Sequence, residues 1–173
     1  MDIGTKAPEF TLRNVNGQEY SLQNLFDREV VAIIFTCNHC PYAQAYTERI
    51  KGLAESHKRD VHFILINSND AKKYPEDSFE EMKKIARLKG YAYPYLYDET
   101  QEVAKAYGAT CTPHVFVFDK HRELAYEGAI DDNWKNPDLA MHTYLQDAID
   151  ALLIGEKPTV QQTNPIGCSI KWK

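Results

Sequence analysis

Apolar residues along this chain fall into unbroken blocks separated by helical and turn-forming stretches. Val30-Val31-Ala32-Ile33-Ile34-Phe35, within residues 29–35, and Val61–Ile66 have the run length of strands covered on both faces. Between them Tyr46, Ile50, Leu53 and Ala54 recur at helical spacing, which predicts a helix from about Cys37 to His57. Ahead of them, residues 8–22 (PEFTLRNVNGQEYSL) predict two short strands around the hairpin signal Asn16-Gly17. After the second buried strand comes the polar loop Asn67-Ser68-Asn69-Asp70. Ser78-x-x-Glu81 then reads as a capping box for a helix that stops at Gly90. Tyr91, Tyr93, Tyr95 and Tyr97 alternate with period two, so Tyr93–Tyr97 reads as a short strand whose aromatic face packs inward. Thr100 is the expected cap of a brief helix ending at Gly108. Val115–Asp119 and Glu123–Gly128 read as an antiparallel pair around Lys120-His121. A long final helix is expected to open with Asn136 as cap and Pro137 at its first position. Leu139, Leu145, Ile149 and Leu152 would form its stripe, and Gly155 would close it.

This order predicts an α/β protein with a central mixed sheet and helices on both faces. No repeat, low-complexity tract or linker divides it. Residues 1–155 are expected to form one domain, with 156–173 a tail packed on it or extending from it. At 173 residues, 43 % hydrophobic and 26 % charged, the composition excludes a disordered chain. A net charge of −5 argues against nucleic acid or an anionic membrane surface as partner. Residues 1–6 offer no apolar leader and no later segment has the length to span a bilayer, so a cytoplasmic location is expected. In a reducing compartment the four cysteines are not a disulfide framework.

Candidate chemistry centres on Cys37-Asn38-His39-Cys40, placed where the first buried strand gives way to a helix. Two cysteines at this spacing can be a redox dithiol, a structural disulfide, half a zinc site or two inert core thiols. The strand-to-helix setting favours the redox pair. Nothing else in the chain calls for a cofactor or a bound metal.

Three segments carry a resemblance. Ala7-Pro8-Glu9-Phe10-Thr11-Leu12 lies in the leading hairpin, and Phe35-Thr36-Cys37-Asn38-His39-Cys40-Pro41 forms the candidate site. Cys111-Thr112-Pro113-His114-Val115-Phe116-Val117-Phe118-Asp119 follows in the third quarter. Together they resemble the redoxin branch of the thioredoxin superfamily, near the alkyl hydroperoxide reductase/thiol-specific antioxidant proteins and the thioredoxin-like thiol-disulfide oxidoreductases. The ending Gly167-Cys168-Ser169-Ile170-Lys171-Trp172 is similar to that of a peroxiredoxin-like subgroup. The resemblance implies a thioredoxin-like fold with an N-terminal hairpin and a helix inserted between the CxxC half and the Thr-Pro half. It also implies a cis peptide at Pro113, with the Thr112 backbone open to an extended substrate segment.

In that setting Cys37 is expected at the start of the helix, where unpaired N–H groups and the helix dipole favour a thiolate. Cys40, one turn in, would be the shielded resolving thiol, and a protonated His39 would stabilise the thiolate further. Cys111 and Cys168 are possible accessory thiols: Cys111 near the site rim, Cys168 as a resolving partner for Cys37. The chain also departs from the pattern. Thr36 stands where thioredoxins carry tryptophan, and Val31 where their buried acid aligns, so the proton acceptor for Cys40 is open, with Glu48, His39 and His114 as candidates. The peroxidatic Pro-x-x-x-Thr/Ser-x-x is absent, since Val30 and Ile34 precede Cys37 at those positions. The expected function is therefore thiol–disulfide exchange on a protein or small-molecule disulfide, with a thioredoxin- or glutathione-type electron donor. The alternatives are a thiol peroxidase with antioxidant activity, and a metal-binding module using Cys37, Cys40 and Cys111 or His114.

Overall fold

The computed structural model of the protein describes residues 1–173 apart from Asn24. The hairpin forms as expected, with strand β1 (Thr11–Asn14) turning through Gly17 into β2 (Glu19–Ser21). Both unbroken apolar runs are strands, β3 (Val30–Phe35) and β4 (Val61–Asn67), and every residue of each is buried. Helix α1 (Pro41–Ser56) joins them. Helix α2 (Phe79–Lys89) leads to the short strand β5 (Tyr95–Tyr97), and α3 (Glu102–Tyr107) to β6 (Cys111–Thr112) and β7 (His114–Phe118). Strand β8 (Leu124–Gly128), helix α4 (Tyr144–Leu153) and β9 (Cys168–Ser169) complete the chain.

The main sheet has seven strands in the order β2-β1-β5-β4-β3-β7-β8. β3 runs parallel to β4 and antiparallel to β7, so the sheet is mixed. Alternation along β3 divides the interior. Val30, Ala32 and Ile34 face a core with Tyr46 and Ile50 of α1, Met82 and Ala86 of α2, and Leu145 and Ile149 of α4. Val31, Ile33 and Phe35 face a second core with Phe10, Tyr107 of α3 and Ile170 of the tail. An apolar strand with no polar face requires such cover on both sides. The fold is thioredoxin-like: a mixed sheet between helices, with α2 and α3 inserted between the CxxC half and the Thr-Pro half. Register also positions the candidate site. Phe35 pairs with Ile66 on one side and His114 on the other, so Cys37 leaves the sheet at the end where Thr112-Pro113 enters it.

Three local expectations are corrected. Helix α1 begins at Pro41, with Cys40 as N-cap in extended backbone at φ −73°, ψ 125°. A residue before proline is driven out of helical backbone, which keeps Cys40 itself outside the helix. At α3 the cap is not Thr100. The buried carboxylate of Asp98 accepts the N–H groups of Val103 (3.3 Å) and Ala104 (2.9 Å), while Thr100 reaches Glu102 at 3.4 Å. Asn136 caps only one tight turn, Pro137–Leu139, and Leu139 is exposed. The chain then folds back, with Asp132 accepting Met141 N–H at 2.8 Å, and α4 starts afresh at Tyr144.

Elsewhere the capping holds. Ser78 Oγ accepts Glu81 N–H, and Gly90 closes α2 in left-handed backbone. The tail is packed on the domain along much of its length. Gln161–Thr163 lies along β8, where Thr163 N–H donates to Glu127 O (3.1 Å), and Gly128 has no Cβ to strike Thr163, whose hydroxyl would stand 2.2 Å away.

Met82 is wholly enclosed between α2 and the sheet. Met82→Ala is expected to lower unfolding free energy by about 2–5 kcal/mol, read as a reduced midpoint in urea.

Candidate active site

Residues 36–40 bridge β3 and α1, and a buried acid fixes them. Asp77, fully buried just ahead of α2, accepts the N–H groups of Asn38 (2.7 Å) and His39 (3.3 Å) on Oδ1. Its Oδ2 accepts from Asn69 Nδ2 (2.9 Å) and pairs with the His39 ring. The His39 imidazole stacks on Tyr74, with centroids 5.5 Å apart. Asn38 completes the clamp, giving its amide to Glu76 O (3.0 Å) and accepting the Tyr95 hydroxyl (2.8 Å). The loop's free N–H groups therefore go to a carboxylate from a distant segment rather than to a helix. His39 is not a bystander on a helix surface.

Both sulfurs meet Thr112, whose peptide with Pro113 is cis. Cys37 Sγ lies 3.4 Å from the Thr112 hydroxyl, and Cys40 Sγ lies 3.4 Å from the Thr112 carbonyl oxygen, to which its thiol donates. Cys40 has no exposed surface and Cys37 retains 7 %. A cavity of about 320 Å³ between α1 and α2 opens on Cys37, lined also by Gln44, Thr47, Leu88, Tyr91 and Tyr93; Cys40 is not in its wall. A larger cavity, about 540 Å³ around Tyr20, Arg28 and His62, shares Tyr93 but reaches no cysteine. Of the four alternating tyrosines only Tyr95 and Tyr97 lie in a strand, and Tyr91 and Tyr93 wall the approach to Cys37.

The dithiol ionises as a unit. Cys37 is pushed up, first by its hydrogen bond with Cys40, then by burial and the Asp77 carboxylate. Cys40 is drawn down, first by that same bond, with the N–H groups of Ala43 and Cys168 adding support. Thr112 opposes this split, because a hydroxyl facing Cys37 favours charge there and a carbonyl facing Cys40 favours a proton there. One proton thus has two supported positions, and the pair releases its first proton more readily than an isolated thiol. The helix N-terminus acts on Cys40, its N-cap, rather than on Cys37 as expected from sequence.

The remaining candidates separate. Glu48 is exposed on α1, its carboxylate engaged with Lys51. His114 is buried between Thr110 N–H (3.2 Å) and Glu127 (3.3 Å). Of the three acceptors considered, His39 is the one facing the dithiol, and it brings Asp77, which sequence reasoning missed. Its position within Tyr74-Pro75-Glu76-Asp77-Ser78 gave only the approach to a helix. Cys37 Sγ, a His39 ring nitrogen and an Asp77 oxygen lie within 4.8 Å of one another. The expected ligand group with Cys111 or His114 is not assembled: Cys111 is buried with its sulfur toward Pro113 O (4.0 Å). The Thr112 backbone is not open either, because β9 of the tail pairs with it, Thr112 opposite Cys168. Cys168 packs against the dithiol on its Cys40 side, where burial first and then the neighbouring Cys40 push its thiol up to about 11.

A mixed sheet with a CxxC loop meeting a cis-proline segment defines a thioredoxin-like thiol protein. The chain belongs to the Redoxin family, whose profile matches residues 2–142. It is similar to a solved uncharacterized conserved protein from Geobacillus kaustophilus, 44 % identical, covering 99 % of this chain and 93 % of that one at a TM-score of 0.93. A hypothetical protein from Sinorhizobium meliloti 1021 is 35 % identical over 100 % of this chain and 96 % of its own, at a TM-score of 0.94. Among curated proteins, thiol-disulfide oxidoreductase ResA from Geobacillus thermodenitrificans is 24 % identical over 124 residues, 70 % of this chain. The chain spans 66 % of that relative's length.

Asp77→Asn removes a negative charge beside Cys37. Because a nearby carboxylate disfavours a second anion, the substitution should move the pH midpoint of Cys37 alkylation by iodoacetamide downward. Peptide-resolved mass spectrometry follows Cys37 alone; an unchanged midpoint would mean that Asp77 acts only by holding the loop.

Proposed function

We propose that this redoxin is a thiol–disulfide oxidoreductase in which Cys37 attacks and Cys40 resolves. The carrying observation is the asymmetry of the pair: the cavity opens on Cys37 alone, and the Thr112 hydroxyl faces Cys37 while its carbonyl accepts from Cys40. A substrate disulfide R–S–S–R′ enters beside Cys37, with the shared proton on Cys40 held by the Thr112 carbonyl. Cys37 thiolate attacks one sulfur, forming Cys37–S–S–R and releasing R′–S⁻, which takes a proton from solvent. Cys40 then attacks the Cys37 sulfur, its proton passing to the departing R–S⁻. The product is Cys37–S–S–Cys40 and two substrate thiols, two electrons having moved from protein to substrate.

The curated relatives named thiol-disulfide oxidoreductase support the reaction class. The substrate is a disulfide on a protein segment or a small molecule, one arm of which suits a cavity of about 320 Å³. A thioredoxin- or glutathione-type dithiol donor would restore the reduced pair. We place the reaction in a reducing cytoplasmic compartment, where a CxxC dithiol that is not part of a disulfide framework is kept reduced. Among the described residues no helix is long and apolar enough to cross a membrane.

Cys37→Ser is expected to lower disulfide reduction by at least about 100-fold, since the covalent path is lost with the nucleophile. Cys40→Ser should instead accumulate a mixed disulfide between Cys37 and the substrate, visible by mass spectrometry. Parental turnover by Cys37→Ser would defeat the reading. Faster turnover of hydrogen peroxide than of disulfides in the same assay would favour a peroxidase.

A further inference from the structure

Cys168 is a third sulfur at the dithiol, and the tail that carries it is tightly fixed there. Strand β9 places Cys168 opposite Thr112, the residue both active-site sulfurs touch. Gly167 permits the approach: a Cβ on it would stand 2.0 Å from Thr112 O, so no other residue lets the tail lie this close. Beyond the cysteine, Ile170 is buried in the second core and its N–H donates to Thr110 O at 3.1 Å. Lys171 N–H donates to Asn69 Oδ1 (2.9 Å), and the same Asn69 donates to Asp77 (2.9 Å). One amide thus ties the tail to the acid that holds the Cys37–Cys40 loop.

Position distinguishes the accessory thiols. Cys111 and Cys168 sit on paired strands, but Cys111 turns its sulfur toward Pro113 O while Cys168 turns toward Cys40. Exposure distinguishes the redox thiols as well: Cys40 is closed to solvent, whereas Cys168 is only partly covered. A disulfide confined to Cys37 and Cys40 leaves its resolving sulfur beyond reach of a donor protein and keeps the attacking sulfur out of use.

We propose that Cys168 is a second resolving thiol, which draws the disulfide off Cys37 and onto the tail. The proposal rests on the oxidoreductase reading, since its starting point is the oxidised Cys37–Cys40 pair. Cys168 thiolate attacks the Cys40 sulfur, the Cys40–S–S–Cys168 bond forms, and the Cys37–S–S–Cys40 bond breaks. Cys37 leaves as thiolate and takes up the proton that Cys168 released. No oxidant or reductant is consumed, because the exchange is internal. Cys37 returns to the thiol state, and the disulfide now ends on the partly exposed Cys168, where a donor dithiol can attack and release Cys40 for the next turnover.

The test is a time course after reduced protein is mixed with one equivalent of glutathione disulfide, quenched in acid, alkylated and mapped by mass spectrometry. A Cys37–Cys40 link should appear first, followed by a cross-link between Cys40 and Cys168 with Cys37 newly alkylated. Cys168→Ser should abolish the cross-link and leave Cys37 protected, whereas Cys111→Ser should leave the sequence of events unchanged. Cys37→Ser treated with diamide should form Cys40–Cys168 directly. Should Cys37–Cys40 form while Cys168 stays alkylated throughout, the relay is wrong and the oxidoreductase reading stands. Should no Cys37–Cys40 link form even in Cys168→Ser, that reading falls and takes the relay with it.

Discussion

The buried carboxylate of Asp77 is the constraint around which this site is arranged. A charge without solvent is tolerable only when hydrogen bonds replace the lost water, and Asp77 has them from two loop N–H groups, the His39 ring and Asn69. Satisfying the acid and holding the loop are the same set of contacts. Because Asn38 and His39 give their N–H groups to Asp77, residues 37–40 stay out of the helix, and the two sulfurs enter different surroundings. Cys37 faces a cavity and a negative charge; Cys40 caps a helix and is sealed. The chemical difference between two identical side chains comes from this geometry.

Thr112 makes the second half of that difference. Its hydroxyl and its carbonyl contact different sulfurs, so one residue offers a donor and an acceptor to the two ends of a single shared proton. Thioredoxins, which the chain resembles, keep a buried acid on the first central strand, and here that position is Val31, packed in the core. The acid near the dithiol arrives instead from the segment ahead of α2. The same local need is met by a different part of the chain.

Much of the fold was legible because its signals are local and strong. Unbroken apolar runs gave β3 and β4, Asn16-Gly17 gave the hairpin, and Ser78 and Gly90 gave the ends of α2. The Cys37–Cys40 pair and Thr112-Pro113 were legible as a candidate site through motif and resemblance, and the structure brings them together. What escaped depends on contacts distant in sequence. Asp77 lies 37 residues beyond Cys40, and no period or spacing joins them. The start of α1 was readable in principle, since Pro41 restricts Cys40, but the helical stripe further along outweighed it. At Asn136 the local signals for a helix start were sound and a tertiary bond from Asp132 to Met141 overrode continuation. Cys168 was read as a resolving partner for Cys37, and its place beside Cys40 escaped because its β partner, Cys111–Thr112, is only two residues long.

The segment Gln161–Thr163 has a consequence of another kind. β8 is the last strand of the sheet, and an outermost strand exposes backbone groups able to recruit a strand from another molecule. The tail occupies that row: Glu127 N–H donates to Gln161 O at 3.0 Å, Thr163 N–H returns to Glu127 O, and the Thr163 hydroxyl takes Ala129 N–H at 2.9 Å. Gly128 is what allows the cover to sit flush. The tail therefore also blocks edge-to-edge association. Loss of that cover would turn a self-contained sheet into a template for aggregation, whatever became of its thiols.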